Sequence, residues 1–326
     1  MALNNVERNI KILLITQGIS RIVKPIFSTG HDVVGVLESM PRDYEERPNN
    51  PVLYRVLRVV YRLLRVKTDS LEMLCKKRSV PYNIIWNGNS AEVAQWVRSV
   101  NPDLVVVFGM SQLLGGEVIN IPPLGVINLH PSYLPSYRGP NPDFWQYYYT
   151  DLYPGVTVHY IDKGEDTGDI IFQERLCMPL GSRSPEQLNR LIGQLGVSLL
   201  LRAIDSISSG SAPRLVQPDK SPTPRARNLK LDEHKHLIDW SSWPVERVWH
   251  LLRGTEGWLN AIERPRGLFA GQRWSIDEFE KIENLCGQPG TLTNRKGRSC
   301  LLLKDGVIYL SIKFSLVKTV LHFVNK

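Results

Sequence analysis

The sequence predicts an α/β protein, a mainly parallel β-sheet covered by helices, with a smaller and largely β second domain. Three observations carry that prediction. Apolar runs of strand length alternate with helix-period segments through the first two hundred residues, a proline-rich stretch interrupts the pattern at 213–230, and short β-like segments between glycine turns follow it. At 326 residues the chain also exceeds the roughly 250–300 residues over which one core keeps growing. The expected division is a domain over 1–212, a linker over 213–230 and a small β-rich domain over 231–326.

The elements follow in order. NIKILLITQ (9–17) reads as a buried strand, a helical stretch succeeds it, and HDVVGVLES (31–39) reads as a second strand. VLYRVLRVVYRLLRV (52–66) has helical period, with Arg55, Arg58, Arg62 and Arg65 on one narrow arc opposite an apolar side. YNIIW (82–86) is a short strand, NGNS a turn and helix start, and AEVAQWVRSVN (91–101) a helix. PDLVVVFGM (102–110) and GVINLH (125–130) are two further buried strands joined by a short helix. PGVTVHYID (154–162) and DIIFQERL (169–176) alternate, and a tight glycine-containing turn separates them; they should extend the sheet antiparallel at one side. Residues 184–208 read as one long helix ending at a Ser-Gly break. The linker is expected to be extended. PVERVWHLLRG (244–254) is a helix, and GTLTNRKG and SCLLLKDGVIYLSIKF are β segments.

Composition excludes several classes. Apolar residues make up 42% and charged residues 22%, ordinary values for a folded chain. There is no run of about 18 uninterrupted apolar residues and no signal-peptide pattern, so a cytoplasmic protein without membrane insertion is expected. Cys75, Cys177, Cys286 and Cys300 lack CxxC spacing, which argues against a zinc site and a disulfide framework and for reduced, mostly buried thiols. The net charge of +8 is concentrated: eight basic residues between Arg55 and Arg78 face only Asp69 and Glu72. TQGIS after the first strand lacks the G-x-G-x-x-G fingerprint, which disfavours a nicotinamide cofactor.

In an open α/β sheet, ligands bind beyond the carboxyl ends of the strands. VINLHPSYLPSYRGPNP (126–142) puts Asn128 and His130 at such an end. The strand's period of two points both side chains to one side, where an amide and an imidazole can address one small group. Taken alone, an N-x-H is as well explained by a turn cap and a satisfied interior histidine. The second half of the constellation is GVTVHYIDKGEDTGDII (155–171), where a strand ends in a loop carrying Asp162, Glu165, Asp166 and Asp169. The spacing of these acids does not fit an EF-hand.

Together, N-L-H-P-S-x-L-P-x-Y-R-G and G-V-T-x-H-x-I-D-x-G-x-D-T-G-D-I-I resemble the formyltransferases that use 10-formyltetrahydrofolate. The two-part motif spans nearly fifty residues. The resemblance implies the formyltransferase fold, Rossmann-like with a small OB-like C-terminal domain, and names Asn128, His130 and Asp166 as the catalytic three. It implies that a folate pterin is cradled by Phe108, Gly109, Met110, Leu113 and Leu114 on one side and by Ile161, Asp162 and Glu165 on the other. No metal is required. The chemistry of the residues agrees: formyl transfer between nitrogens passes through a tetrahedral carbon whose oxygen becomes negative. Asn128 and His130 are suitable donors to that oxygen, and an imidazole held by Asp166 is a suitable proton shuttle. Whether His130 serves as base or as cation beside the oxyanion is open at this level.

The acceptor is the finer question. The small β domain, the linker and the basic helix resemble methionyl-tRNA formyltransferases. R-G-P-N-P-D-F-W departs from their R-G-A-A-P, however, and resembles formyltransferases acting on nucleotide-linked amino sugars for O-antigen, lipopolysaccharide or other surface glycans. On that reading Ser132, Tyr133, Arg138, Gly139, Asn141 and Trp145 meet the acceptor. Trp145 would stack a base, and Arg138 would reach a phosphate or else tie down its own loop. A formyltetrahydrofolate hydrolase would use the same three catalytic residues, but the regulatory domain expected ahead of such hydrolases is not apparent before the first strand. The second domain's strands are expected to pair two subunits in a homodimer or to help hold the acceptor, and the residues do not choose between these.

Overall fold

The protein is described here by a computed structural model covering residues 8–40, 70–183 and 188–314. The basic helix expected over 52–66 lies outside the described residues. The described chain forms two compact units that interleave along the sequence. The first holds residues up to 138, 156–174 and 194–223; the second holds 139–155, 175–193 and the chain from 224.

The first unit is built on a seven-stranded sheet in the order β3-β2-β1-β4-β5-β6-β7. The strands are β1 (Lys11–Thr16), β2 (Asp32–Ser39), β3 (Tyr82–Ile85), β4 (Leu104–Phe108), β5 (Val126–His130), β6 (Gly155–Tyr160) and β7 (Ile170–Arg175). β1 through β5 pair parallel and β6 pairs antiparallel to β5, as the alternating pattern of 154–162 anticipates. β1 and β4 are almost wholly buried because helices cover both faces of a parallel sheet. The first crossover is shorter than expected, a single helical turn α1 (Val23–Ile26).

A seven-residue helix that the sequence reading did not distinguish, α2 (Leu71–Lys77), precedes β3. α3 (Ala91–Val100) starts where Ser90 Oγ accepts the Val93 N–H and stops where Asn101 turns left-handed at φ 46°. α4 is the short Gly116–Ile119 turn. α6 (Leu188–Ser208) follows α5 (Pro142–Tyr148) in the chain. From Arg190 onward α6 is long and apolar enough to cross a membrane by length and composition, yet Leu199, Leu200, Ala203, Ile204 and Ile207 are buried in the fold. Gly196 lets it approach the sheet: a Cβ there would lie 3.2 Å from Leu129 and Val156 side-chain carbons. That contact covers the face of β5 opposite Asn128 and His130.

The stretch from 213 differs from the extended linker expected over 213–230. Leu215 exchanges both backbone hydrogen bonds with Ile170, and the chain to Thr223 stays with the first unit. Proline content marks an irregular segment, but the free donors of a neighbouring strand edge decide whether it is a tether or part of the sheet.

The second unit carries a four-stranded antiparallel sheet, β8-β11-β10-β9, formed by β8 (Trp274–Lys281), β9 (Leu292–Arg295), β10 (Arg298–Leu303) and β11 (Gly306–Ile312). α7 (Val245–Thr255) buries Val245, Val248, Leu251 and Leu252 at helical spacing. α5 (Pro142–Tyr148) belongs to this unit, and Gly254 is where α7 meets it, since a Cβ would lie 2.1 Å from the Tyr147 ring. Trp240, Trp243 and Trp249 are half-buried, and Trp243 carries the Arg247 guanidinium 3.6 Å from its ring centre. All four cysteines are free; Cys75 and Cys300 are buried and Cys177 and Cys286 are exposed, so half of the thiols are interior where most were expected to be.

Candidate active site

The antiparallel register sets Asn128 directly opposite His159 and His130 opposite Thr157. With a period of two, Asn128, His130 and His159 therefore share one face at the carboxyl edge of the sheet. Asp166 reaches the same place from the loop between β6 and β7. Its Oδ2 is 3.6 Å from His130 Nδ1 and its Oδ1 is 3.5 Å from His159 Nε2. Both imidazoles are buried, while the Asp166 side chain keeps 15% of its surface accessible.

Two backbone carbonyls determine the proton positions. The Tyr137 carbonyl lies 3.1 Å from His130 Nε2 and can only accept, so Nε2 carries the hydrogen; the neutral ring then presents a bare Nδ1 to Asp166. The Tyr160 carbonyl lies 2.8 Å from His159 Nδ1, so that nitrogen is the donor and Nε2 the acceptor. His159 Nε2 in turn takes a hydrogen bond from Asn128 Nδ2 at 3.2 Å, which orients the carboxamide. The second Nδ2 hydrogen has only a 3.5 Å contact with Asp166 Oδ1, long for a hydrogen bond, and is available to an oxyanion.

Burial pushes the His130 pKa below the ordinary imidazole value, and the nearby His159 lowers it further. Asp166 foremost, then the Tyr137 carbonyl and Glu165, pull it back up. His130 is therefore a neutral base at pH 7 whose conjugate acid has a counter-charge waiting.

The Asp166 loop is shaped by its small residues. Asp166 itself is left-handed at φ 55°, a region tolerated better by Asp than by branched residues. Asp162 accepts the Gly164 N–H at 2.9 Å and the Thr167 hydroxyl at 2.7 Å. A Cβ on Gly168 would stand 2.0 Å from the Tyr160 carbonyl oxygen. D-K-G-E-D-T-G-D is thus a turn that folds back on its own strand and presents one carboxylate inward.

The second expected loop lies beyond β4. Met110, Leu114 and Ile161 pack partly buried against the core cluster containing Leu13, Val105 and Val126, while Leu113 is exposed. Gly109 takes φ 70°. Ser39 braces this loop: its hydroxyl donates to Gln112 Oε1 at 2.9 Å and accepts the Ser111 N–H at 3.2 Å, and Gln112 donates to the Met40 carbonyl at 2.6 Å. Gly88 permits the close approach of 113, since a Cβ there would meet the Leu113 carbonyl at 2.6 Å. Phe108, Asp162 and Glu165 complete the two loops, half-buried, exposed and half-buried respectively.

A family model described as formyl transferase matches residues 81–204, which include both loops and the whole cluster. Residues 81–204 therefore carry a formyl transferase domain. The methionyl-tRNA formyltransferase of Syntrophus aciditrophicus (strain SB) is 40% identical over 199 residues, 60% of this chain; the match spans 60% of that relative's length. Among solved structures, WlaRD, a sugar 3N-formyl transferase studied with dTDP and 5-N-formyl-THF, superposes with a TM-score of 0.57 at 16% identity, covering 94% of this chain and 99% of that one. HypX from Aquifex aeolicus, in complex with tetrahydrofolic acid, superposes at 0.56 and 15% identity, over 93% of this chain and 43% of its own.

The residues expected to meet an acceptor fall into two groups. In the first unit, Ser132 is fully buried with its hydroxyl donating to the Ser136 carbonyl at 2.7 Å, and Tyr133 is half-buried beside it. Arg138 is 9% exposed. Its guanidinium donates to Gln217 Oε1 at 2.9 and 3.3 Å, to the Pro218 carbonyl at 2.8 Å and to the Asp219 carbonyl at 3.0 Å. Of the two roles open to Arg138 in the sequence, this geometry favours tying down its loop over reaching a phosphate. In the second unit, Gly139 at φ 124° lies so close to Ala226 that a Cβ would meet its carbonyl at 2.9 Å, and the Asn141 N–H donates to that same carbonyl. Trp145 donates to the Arg227 carbonyl at 2.8 Å and stacks on Tyr149, 6.0 Å between ring centres, with Tyr149 43% exposed.

Three contributors escape a reading by motif. His159 was visible as the H of T-x-H-x-I-D, and its antiparallel register opposite Asn128 was the signal that could have singled it out. Ser39 and Gln217 carried no local signal, since each acts on loops more than forty residues distant.

Proposed function

We propose that this formyltransferase moves the formyl group of 10-formyltetrahydrofolate to the amine of a nucleotide-linked amino sugar, in the cytoplasm, for a surface glycan such as O-antigen or lipopolysaccharide. The observation that carries formyl transfer is the buried edge cluster, in which one neutral imidazole faces a carboxylate across 3.6 Å and one oriented carboxamide has its second N–H held only by a long 3.5 Å contact.

The acceptor nitrogen forms a bond to the formyl carbon, and the bond from that carbon to the folate nitrogen breaks. His130 takes the proton the acceptor nitrogen loses and returns it to the folate nitrogen as that nitrogen leaves. Asp166 stabilises the imidazolium between the two events. The Asn128 N–H faces the oxygen that becomes negative, and His159 holds that N–H in place. The pterin would lie against Phe108–Leu114 and Ile161–Glu165, where apolar side chains meet braced backbone.

The sugar acceptor is supported by R-G-P-N-P-D-F-W and by a likeness of fold to a sugar 3N-formyl transferase across nearly the full length of both chains. Methionyl-tRNA is the second reading, favoured by the 40% identity to a methionyl-tRNA formyltransferase. The test offers dTDP-, UDP- and GDP-linked amino sugars and initiator methionyl-tRNA, each with 10-formyltetrahydrofolate. Formylation of a nucleotide sugar alone is the expected result; formylation of the tRNA alone transfers the site to the second reading. Release of formate with neither acceptor used would mark a hydrolase.

A further inference from the structure

His130 and Asp166 come from different loops, and each loop needs something to hold it. The loop after β5 supplies Tyr137, whose carbonyl carries the His130 Nε2 hydrogen bond. The loop before β7 supplies Asp166 in its left-handed conformation. One side chain touches both loops. Gln217, 7% exposed, donates from Nε2 to the Asp166 carbonyl at 3.0 Å and to the Gly168 carbonyl at 2.7 Å. Its Oε1 accepts from Arg138 Nε and Nη2. Both amide hydrogens and the amide oxygen are therefore spent, the hydrogens on one loop and the oxygen on the other.

The segment bearing Gln217 is itself anchored. Leu215 pairs in both directions with Ile170 of β7, and Thr223 Oγ1 accepts the Tyr137 N–H at 2.7 Å. A strap over 215–223 thus runs from the sheet edge across the back of the carboxylate to the residue that holds the imidazole.

We propose that Gln217 is a positioning residue for formyl transfer: by clamping the Asp166–Gly168 backbone to Arg138, it sets the gap between the Asp166 carboxylate and His130. The inference rests on the reading of His130 and Asp166 as the proton-handling pair. The amide is specific to this task. A glutamate would turn a carboxylate toward two carbonyl oxygens, and an asparagine would fall one methylene short. An apolar residue would leave the Asp166 and Gly168 carbonyls and part of the Arg138 guanidinium buried without partners.

The test compares Gln217→Met, Asp166→Asn and the double variant with the wild type, using 10-formyltetrahydrofolate and whichever acceptor of the panel above the wild type formylates. Gln217→Met should lower kcat about 10- to 100-fold while both KM values stay within about threefold, because a displacement of order 1 Å from the productive geometry weakens the chemistry and not the binding. Since Gln217 acts through Asp166, the double variant should be no slower than Asp166→Asn alone. Losses that multiply, or a Gln217→Met enzyme with wild-type kcat, overturn the proposal. Should Gln217→Met fail to fold, Arg138→Lys, which keeps a charge but loses the bidentate grip on Gln217, must show the same kcat loss in milder form, and wild-type kcat there overturns it.

A second readout needs no acceptor. In enzyme carrying 13C-labelled histidine, the His130 resonance should titrate at lower pH in Gln217→Met than in the wild type, because the carboxylate that raises it has drifted; an unchanged titration overturns the clamp. A wild-type rate in Asp166→Asn would remove the proton-handling reading itself, and with it this one. A collapse in Asp166→Asn with Gln217→Met unaffected removes this inference alone.

Discussion

Both units bury histidines, and the contrast between His130 in the first and His250 in the second separates a site from a scaffold. Both rings lose water, and burial lowers both pKa values. His250 meets no counter-charge: its Nδ1 accepts the Gly181 N–H at 2.8 Å, its ring lies 4.9 Å from that of Tyr147, Nε2 has no hydrogen-bond partner, and its pKa falls to about 4. His130 is as deeply buried but faces Asp166, which offsets part of the penalty. An imidazole that burial alone holds neutral cannot take up a proton at working pH. One that burial and a carboxylate pull in opposite directions can take a proton and give it back.

That contrast is most directly broken by substitution. His130→Ala or Asp166→Asn should lower kcat about 10²- to 10⁴-fold, the range for removing a general acid–base group. His250→Gln should leave the rate within about twofold of wild type, because the unit that holds His250 contributes no group to the proposed proton path. Equal losses for His130 and His250 variants in a steady-state assay would abolish the distinction. Asn128→Ala comes next, at about 10²- to 10³-fold, the cost of one oxyanion donor. His159→Phe should cost less than Asn128→Ala, since it removes only the acceptor that aims the amide.

The pH dependence sharpens the comparison. His130 must be neutral to accept a proton, and its pKa lies below the ordinary value of about 6.5, so kcat should hold level near neutrality and fall only on the acid side of that value. Asp166→Asn removes the group that raises it and should push the acid limb lower still. For stability, the unfolded chain binds protons at His130 and His250 before the folded chain does. Each therefore contributes stability that is complete above about pH 6.5 and is lost as pH falls, through about pH 4 for His250. Urea midpoints taken from pH 7.5 to 4 should show a smaller acid loss in His250→Gln than in wild type; parallel curves would mean the ring is not held neutral in the fold.

The smallest effects belong to packing. Gly168→Ala should destabilise by about 1–3 kcal/mol, because the added methyl must displace the Tyr160 carbonyl, whereas Gly18→Ala meets no atom within 4 Å and is limited by its φ of 60° alone. Chemical denaturation of the two variants measures the difference.

Legibility followed sequence distance. Asn128 and His130 stand two apart on one strand, so their common face was readable from period alone, whereas Asp166 was singled out among the four acids of its loop only by the resemblance to the formyltransferases. Gly-rich spacing in 162–169 also anticipated a tight return. His159 was harder, because its place beside Asn128 depends on the antiparallel register of β5 and β6, which spacing within one strand does not reveal. Arg138 was legible as a cation in a loop, but its partners Gln217, Pro218 and Asp219 lie some eighty residues on, inside a stretch whose prolines suggested a free tether.

The sequence by itself determined most of the elements and the α/β class, because strand period, helix period and turn chemistry are local and act within a dozen residues; the candidate catalytic residues came from the resemblance of a two-part motif. Tertiary structure alone decided which nitrogen of each histidine bears the hydrogen, which way the Asn128 amide points, and that residues 215–223 belong to the active unit. Those outcomes depend on the approach of backbone carbonyls from distant strands, and a carbonyl's position is known only once the chain around it has packed.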